Sequence, residues 1–242
     1  AILQPAARWT TGHGRGRVPA MVNVSDIKDR ASLETWLKDQ PREVAVWIAS
    51  RAAARVLPVW WQAILTEEWA GEESLTPLTV LRNLLISFVA ANMPTTELKS
   101  AAAAAVDGGI VGLPFSAATN ADGAARAAVS AFVLDKPVHS AGSAGFSSSR
   151  AVIVNNGAPE VWSAISTDAK QLAQANSQYS IRLWPIESHP LKPEWKGISR
   201  RVRNQSDAAD WQFWIDWYDA LLDVRPMLGD AARTWEMLEQ IA

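Results

Sequence analysis

The chain has 242 residues, 48% hydrophobic and 20% charged, which excludes wholesale disorder and leaves room for a sizeable core. Its formal net charge of −2 supplies no global field that would gather nucleic acid or an acidic membrane surface. With no cysteine, disulfides, thiolate catalysis and cysteine zinc sites are excluded, and a reducing, cytoplasmic setting fits.

Residues 1–24 read as a flexible arm. Gly12, Gly14 and Gly16 alternate with His13, Arg15 and Arg17 without periodicity, and glycine loses too much backbone entropy to hold a helix there. Residues 25–242 read as one helical domain, with the stretch near 135–150 as the place where it would subdivide. A short helix is predicted from Ala31 to Lys38 on Leu33, Trp36 and Leu37. Pro41 opens a long helix through Val44, Trp47, Ile48, Val56 and Leu57, because proline is tolerated in a first turn. Pro58 kinks or breaks it, and the chain continues helically to Gly71.

Thr76 and Pro77 give the next start signal, for a strongly apolar and central helix from Leu78 to about Ala91. An alanine-rich helix from Glu97 to Val106 stops at Gly108 and Gly109. A second runs from Ala121 to Leu134, before a Gly/Ser-rich loop over 139–149. Ala151 to Val154 has the composition of a lone strand, and Pro159 to Ala175 returns to helix. Residues 180–197 form a proline-pinned loop whose tryptophans pack on the helices it crosses.

The segment Asp210 to Arg225 reads as a helix buried on nearly every side. Successive residues turn by about 100°, so Gln212, Asp216, Asp219 and Asp223 form one narrow polar stripe. Trp211, Phe213, Trp214, Ile215, Trp217 and Tyr218 fill the remainder, placing this helix in the middle of the core. A last helix follows from Ala231 to Ala242. The fold class is therefore mainly α: an irregular multi-helix bundle with a Gly/Ser-rich middle and a proline-pinned loop before the C-terminal helices. No run approaches the ~20 apolar residues of a membrane span. The missing initial methionine, and an apolar pattern still running at Ile241, lead us to expect a piece of a longer protein.

Candidate chemistry is sparse. Asp216, Asp219 and Asp223 could chelate a divalent cation, but no histidine accompanies them, so a solvated face is the simpler reading and no metal site is assigned. Arg51 and Arg55 fall inside an apolar helix face, and Arg82 lies between Leu81 and Leu85. Buried guanidiniums need partners. Either the acidic stripe or Glu67, Glu68, Glu72 and Glu73 neutralise them, or the three arginines line an anion pocket walled by tryptophan. Arg200, Arg201 and Arg203, near Trp195, could contact the phosphates of a nucleic acid, although the overall charge speaks against it. His13, His139 and His189 all fall in expected loops, no catalytic motif is present, and no cofactor is implied.

The stretch from Val46 to Pro58, the apolar helix carrying Arg82, the alanine-rich middle and the spacing Trp211, Trp214, Trp217, Tyr218 recur in this order elsewhere. Over about two thirds of its length the chain resembles uncharacterised helical proteins and modules of bacteria. That resemblance implies a bacterial helical module and carries no activity with it.

Three functions follow, in order. The first is a non-catalytic interaction, assembly or regulatory module binding another protein or domain, or itself, through exposed Trp60, Trp61, Trp184 and Trp195. The second is an anion-binding or enzymatic domain using Arg51, Arg55 and Arg82. The third is nucleic-acid binding through Arg200, Arg201 and Arg203.

Overall fold

The computed structural model describes residues 23–72, 75–92, 94–107, 116–153, 157–174, 182–185, 189–225 and 237. Among them the regular structure is helical. A 3-10 turn (Val24–Asp26) precedes α1 (Arg30–Leu37), α2 (Arg42–Arg55), α3 (Leu57–Thr66), the short α4 (Glu68–Glu72), α5 (Leu78–Asn92) and α6 (Thr96–Asp107). Then come α7 (Ala117–Val133), α8 (Pro137–Ala151), α9 (Ala158–Gln174), α10 (Lys192–Arg203) and α11 (Ala208–Asp223). The last predicted helix, 231–242, and the glycine–arginine part of the arm lie outside the described residues, Met237 apart.

Local signals explain most of these boundaries. Asp29 caps α1 by accepting from Ser32 N at 2.8 Å, and the Ser32 hydroxyl accepts from Asp29 N at 3.1 Å, a reciprocal capping box. Pro41 stands at the N-cap of α2. The helix breaks at Val56, and Pro58 then sits in the first turn of α3, where its missing N–H is no loss. Ser116 caps α7 through Thr119 N at 3.3 Å. The arm ends sooner than its composition suggests: Asn23 caps the 3-10 turn, and Val24 O accepts from the Ser166 hydroxyl at 2.8 Å.

The central helix is α2. Every residue from Val44 to Arg55 is buried, and α5, α7, α8 and α9 pack around it. The aromatic helix α11 is not central as its composition suggested: Asp210 and Gln212 are exposed and Trp211, Phe213, Leu221 and Leu222 are half-buried. The reason is size. A helix can be surrounded only if neighbouring backbones come close, and α2 carries Ala45, Ala49, Ser50, Ala52, Ala53 and Ala54, whereas α11 presents bulky rings.

Three sequence expectations need correction. Residues 139–149 are not a loop but most of α8, whose Ser140, Ala141, Gly142, Ala144, Gly145 and Ser148 are buried. These small side chains bring α8 against α7, α2, α1 and α9. A Cβ built on Gly145 would lie 3.1 Å from Trp162 and 3.2 Å from Ile165, so the close approach uses glycine's lack of a side chain. Ala151 closes this helix instead of starting a strand, and Val152 turns away from it. The proline-pinned loop ends early, because Pro193 opens α10 from its first turn and carries Trp195 into a helix.

No helix among the described residues is long and apolar enough to cross a membrane.

Candidate functional site

The last turns of α2, the face of α9 that meets them, and the crossing segment 182–185 enclose a buried polar group centred on Asp168. Arg51 holds Asp168 in a fork, Nε donating to Oδ2 at 3.1 Å and Nη2 to Oδ1 at 3.0 Å. One turn later, Arg55 Nη2 donates to the same Oδ2 at 2.6 Å. Arg55 Nε donates to Leu183 O at 2.8 Å, and Arg51 Nη2 also donates to Arg182 O. Two guanidiniums thus share one carboxylate and together tie the passing segment 182–183 to the core.

Each guanidinium also lies over an indole. The Arg51 Cζ is 4.5 Å from the Trp47 ring centroid and the Arg55 Cζ is 5.7 Å from that of Trp184. Arg51 is 4% exposed, Arg55 0% and Asp168 1%, so these charges interact with little water between them. Burial holds the Arg55 guanidinium below its usual range, and the Asp168 carboxylate works against that shift.

Asp168 was hidden in the sequence but not illegible. It stands three residues after Ile165 and seven after Val161, on the face of α9 that is otherwise apolar. The same sign, a charge inside an apolar stripe, marks Arg51 and Arg55. The acidic stripe of α11 and Glu67 and Glu68 drew attention by number, yet neither supplies the carboxylate seen in this group. Arg82 is exposed and takes no part, so the three-arginine pocket is not assembled as expected. Its neighbour Asn83, not Arg82, turns into the core.

The four tryptophans expected at a surface are all buried: Trp60 and Trp61 at 0% and 1%, Trp184 and Trp195 both at 4%. Trp61 meets Trp195 and Trp211 edge to face with ring centroids 5.7 and 6.0 Å apart. Trp195 meets Tyr218 at 4.5 Å. Trp61 and Trp195 thus belong to the packing between α3, α10 and α11, and Trp184 to the crossing segment over Arg55. The acidic stripe of α11 serves the same contact. Asp219 accepts from Trp195 Nε1 at 2.7 Å and from Arg203 Nη2 at 3.1 Å. Arg200 and Arg201 are exposed in the last turn of α10, where cations complement the helix dipole. Among the described residues no group of three histidines or carboxylates is placed to hold a metal ion.

Two further groups carried no sequence signal. His189 stacks on Trp184, ring centroids 5.4 Å apart and planes 15° off parallel. Burial, helped by Lys192, pushes its pKa down to about 4, so the folded imidazole is neutral. Asp122 on α7 is fully buried with Arg126 Nε 3.2 Å from its Oδ2, and burial raises its pKa.

Comparison with protein-family models, curated proteins and solved structures gave no match to this chain.

Proposed function

We propose that this chain is a non-catalytic helical interaction or regulatory module of a larger bacterial cytoplasmic protein, and that it engages its partner along the outer edge of α8. The observation that supports this is a contrast in what the molecule hides. Every described tryptophan is buried or half-buried, yet Phe146 is 47% and Ile153 54% exposed. Phe146 and exposed Arg150 stand one turn apart on α8, and Ile153 follows just past the end of that helix. Leaving two large apolar side chains in water forgoes burial at about 25 cal/mol per Å². The partner that fits is an amphipathic helix with apolar side chains on either side of a carboxylate, which would meet Arg150.

The test is photo-crosslinking in the source cell from position 146 or 153, with position 67 on another exposed stretch as control. The expected result is one dominant adduct from the first two positions, mapping to an acidic amphipathic segment. With that segment as a peptide, Phe146→Asp weakens binding at least tenfold and leaves the melting temperature unchanged. Adducts spread as widely as from position 67 would refute the assignment.

A further inference from the structure

On α8, Phe146 stands between two opposite charges. One turn after it, Arg150 is exposed and forms no ion pair among the described residues. One turn before it is Gly142, and the place of its missing side chain is taken by Glu34 of α1. A Cβ built on Gly142 would come within 2.9 Å of the Glu34 Cδ. Glu34 Oε1 accepts from Arg30 Nε at 2.7 Å, with His139 Nδ1 3.5 Å away, and its Oε2 has no partner among the described residues. The Glu34 side chain keeps 26% of its surface in water. A further turn back stands half-buried Val138, so the carboxylate is itself flanked by Val138 and Phe146.

Residues four apart form one ridge on a helix. Along this ridge the order is apolar, acid, apolar, base, and such a row is complementary to itself when turned end for end. A two-fold axis at Phe146 sets position 150 opposite position 142 of the other copy, and an isologous contact makes every pair twice. Phe146 then meets its counterpart, each Arg150 meets the free Oε2 of the other Glu34, and Ile153 comes over the other Val138. Ser143 and Ser147 beside the ridge are small and half-buried, so a second helix has room to approach to about 8–10 Å between axes.

We infer that the α8 edge joins two copies of this chain, paired antiparallel about Phe146, with Arg150 of each on Glu34 of the other. This rests on the reading of the α8 edge as the interaction face and names its occupant. That face asks for a carboxylate between apolar side chains, and a second copy already carries one.

The test is sedimentation velocity on the whole chain across a range of concentrations, and a reversible monomer–dimer equilibrium is expected. Phe146→Asp and Arg150→Glu each remove a contact made twice across the axis. Each is expected to raise the dissociation constant about tenfold or more with the helical circular dichroism unchanged. Opposed charges give the sharper reading. Arg150→Glu sets carboxylates against each other and Glu34→Arg sets guanidiniums against each other, so each variant alone is monomeric where the wild type is dimeric. Mixed together they restore both ion pairs and dimerise with one another. Glu34→Arg is read only if its circular dichroism matches the wild type; the other two variants, at exposed positions, decide without it. A wild-type chain that stays monomeric at its solubility limit overturns the inference. So does a dimer that Phe146→Asp and Arg150→Glu leave intact, or a mixture of folded charge variants that stays monomeric. A monomer that still gives one focused crosslink from position 146 to a different protein refutes the second copy and leaves the α8 edge standing, whereas scattered crosslinks refute both.

Discussion

Asp168 is one carboxylate serving two buried guanidiniums, and that ratio sets what its loss does. Asp168→Asn keeps the shape but strands both charges, and breaking a buried pair in this way costs about 3–5 kcal/mol. Urea unfolding is expected to show a loss of that size. Replacing all three residues together, Arg51→Met, Arg55→Met and Asp168→Leu, is expected to recover most of it, since no charge is then left buried. His189 gives a second outcome at this scale. Its folded pKa is depressed from 6.5 to about 4, so the stability it contributes is complete above 6.5 and drains away as the pH falls towards 4. Asp122 has the opposite sign: its raised pKa favours the fold at low pH, and that contribution is lost as the pH climbs through the raised value. His189→Phe preserves a ring for Trp184 and is expected to flatten the thermal stability profile between pH 6.5 and 4. An unchanged slope would assign that dependence to other groups. At residue scale the sequence disclosed Arg51 and Arg55 because each interrupted an apolar stripe. It disclosed neither the unpaired Tyr218 hydroxyl nor His189, because both depend on what a distant segment does.

Among the elements, α8 shows why composition misleads. Gly and Ser are poorer helix formers than most residues in water, and a run rich in them suggests a loop. Packed between four other helices, the same residues become an advantage, since only small side chains let backbones come so close. Tertiary packing overrides propensity here. Gly145→Val would place a branched side chain where Trp162 and Ile165 already stand within 3.2 Å of a Cβ. Overpacking of this kind costs about 1–3 kcal/mol, which outweighs any gain in helix propensity, and chemical denaturation is expected to show it. The helix starts predicted at Pro41 and Thr76 correspond to helices in the structure because such start signals act locally. The identity of the central helix was not legible, because being surrounded is a property of neighbours, and hydrophobicity alone pointed to α5 and α11.

For the molecule as a whole, the mainly helical class followed from periodicity, while the arrangement of helices did not. Electrostatics at this scale bears on nucleic acid. Arg200 and Arg201 face water, but Arg203 is held by Asp216 and Asp219 at 3.8 and 3.1 Å, and the chain as a whole carries a formal charge of −2. Retention on heparin at low salt is expected to be weak, and Arg200→Glu with Arg201→Glu is expected to change it little. Strong retention with a steep salt dependence would instead restore a phosphate-binding face.

The edge-to-face indoles of α3, α10 and α11 also make the protein its own spectroscopic probe. Trp61 lies within 6.0 Å of both Trp195 and Trp211, and Trp214 is 6.0 Å from Trp217, centroid to centroid. Transition dipoles so close and so fixed couple, giving an excitonic band pair in ultraviolet circular dichroism and depolarising the emission by transfer from ring to ring. Both signals vanish when the rings part, whether or not the helices survive. Followed beside the amide band through one melting curve, they would separate loosening of the aromatic end from loss of helix everywhere else.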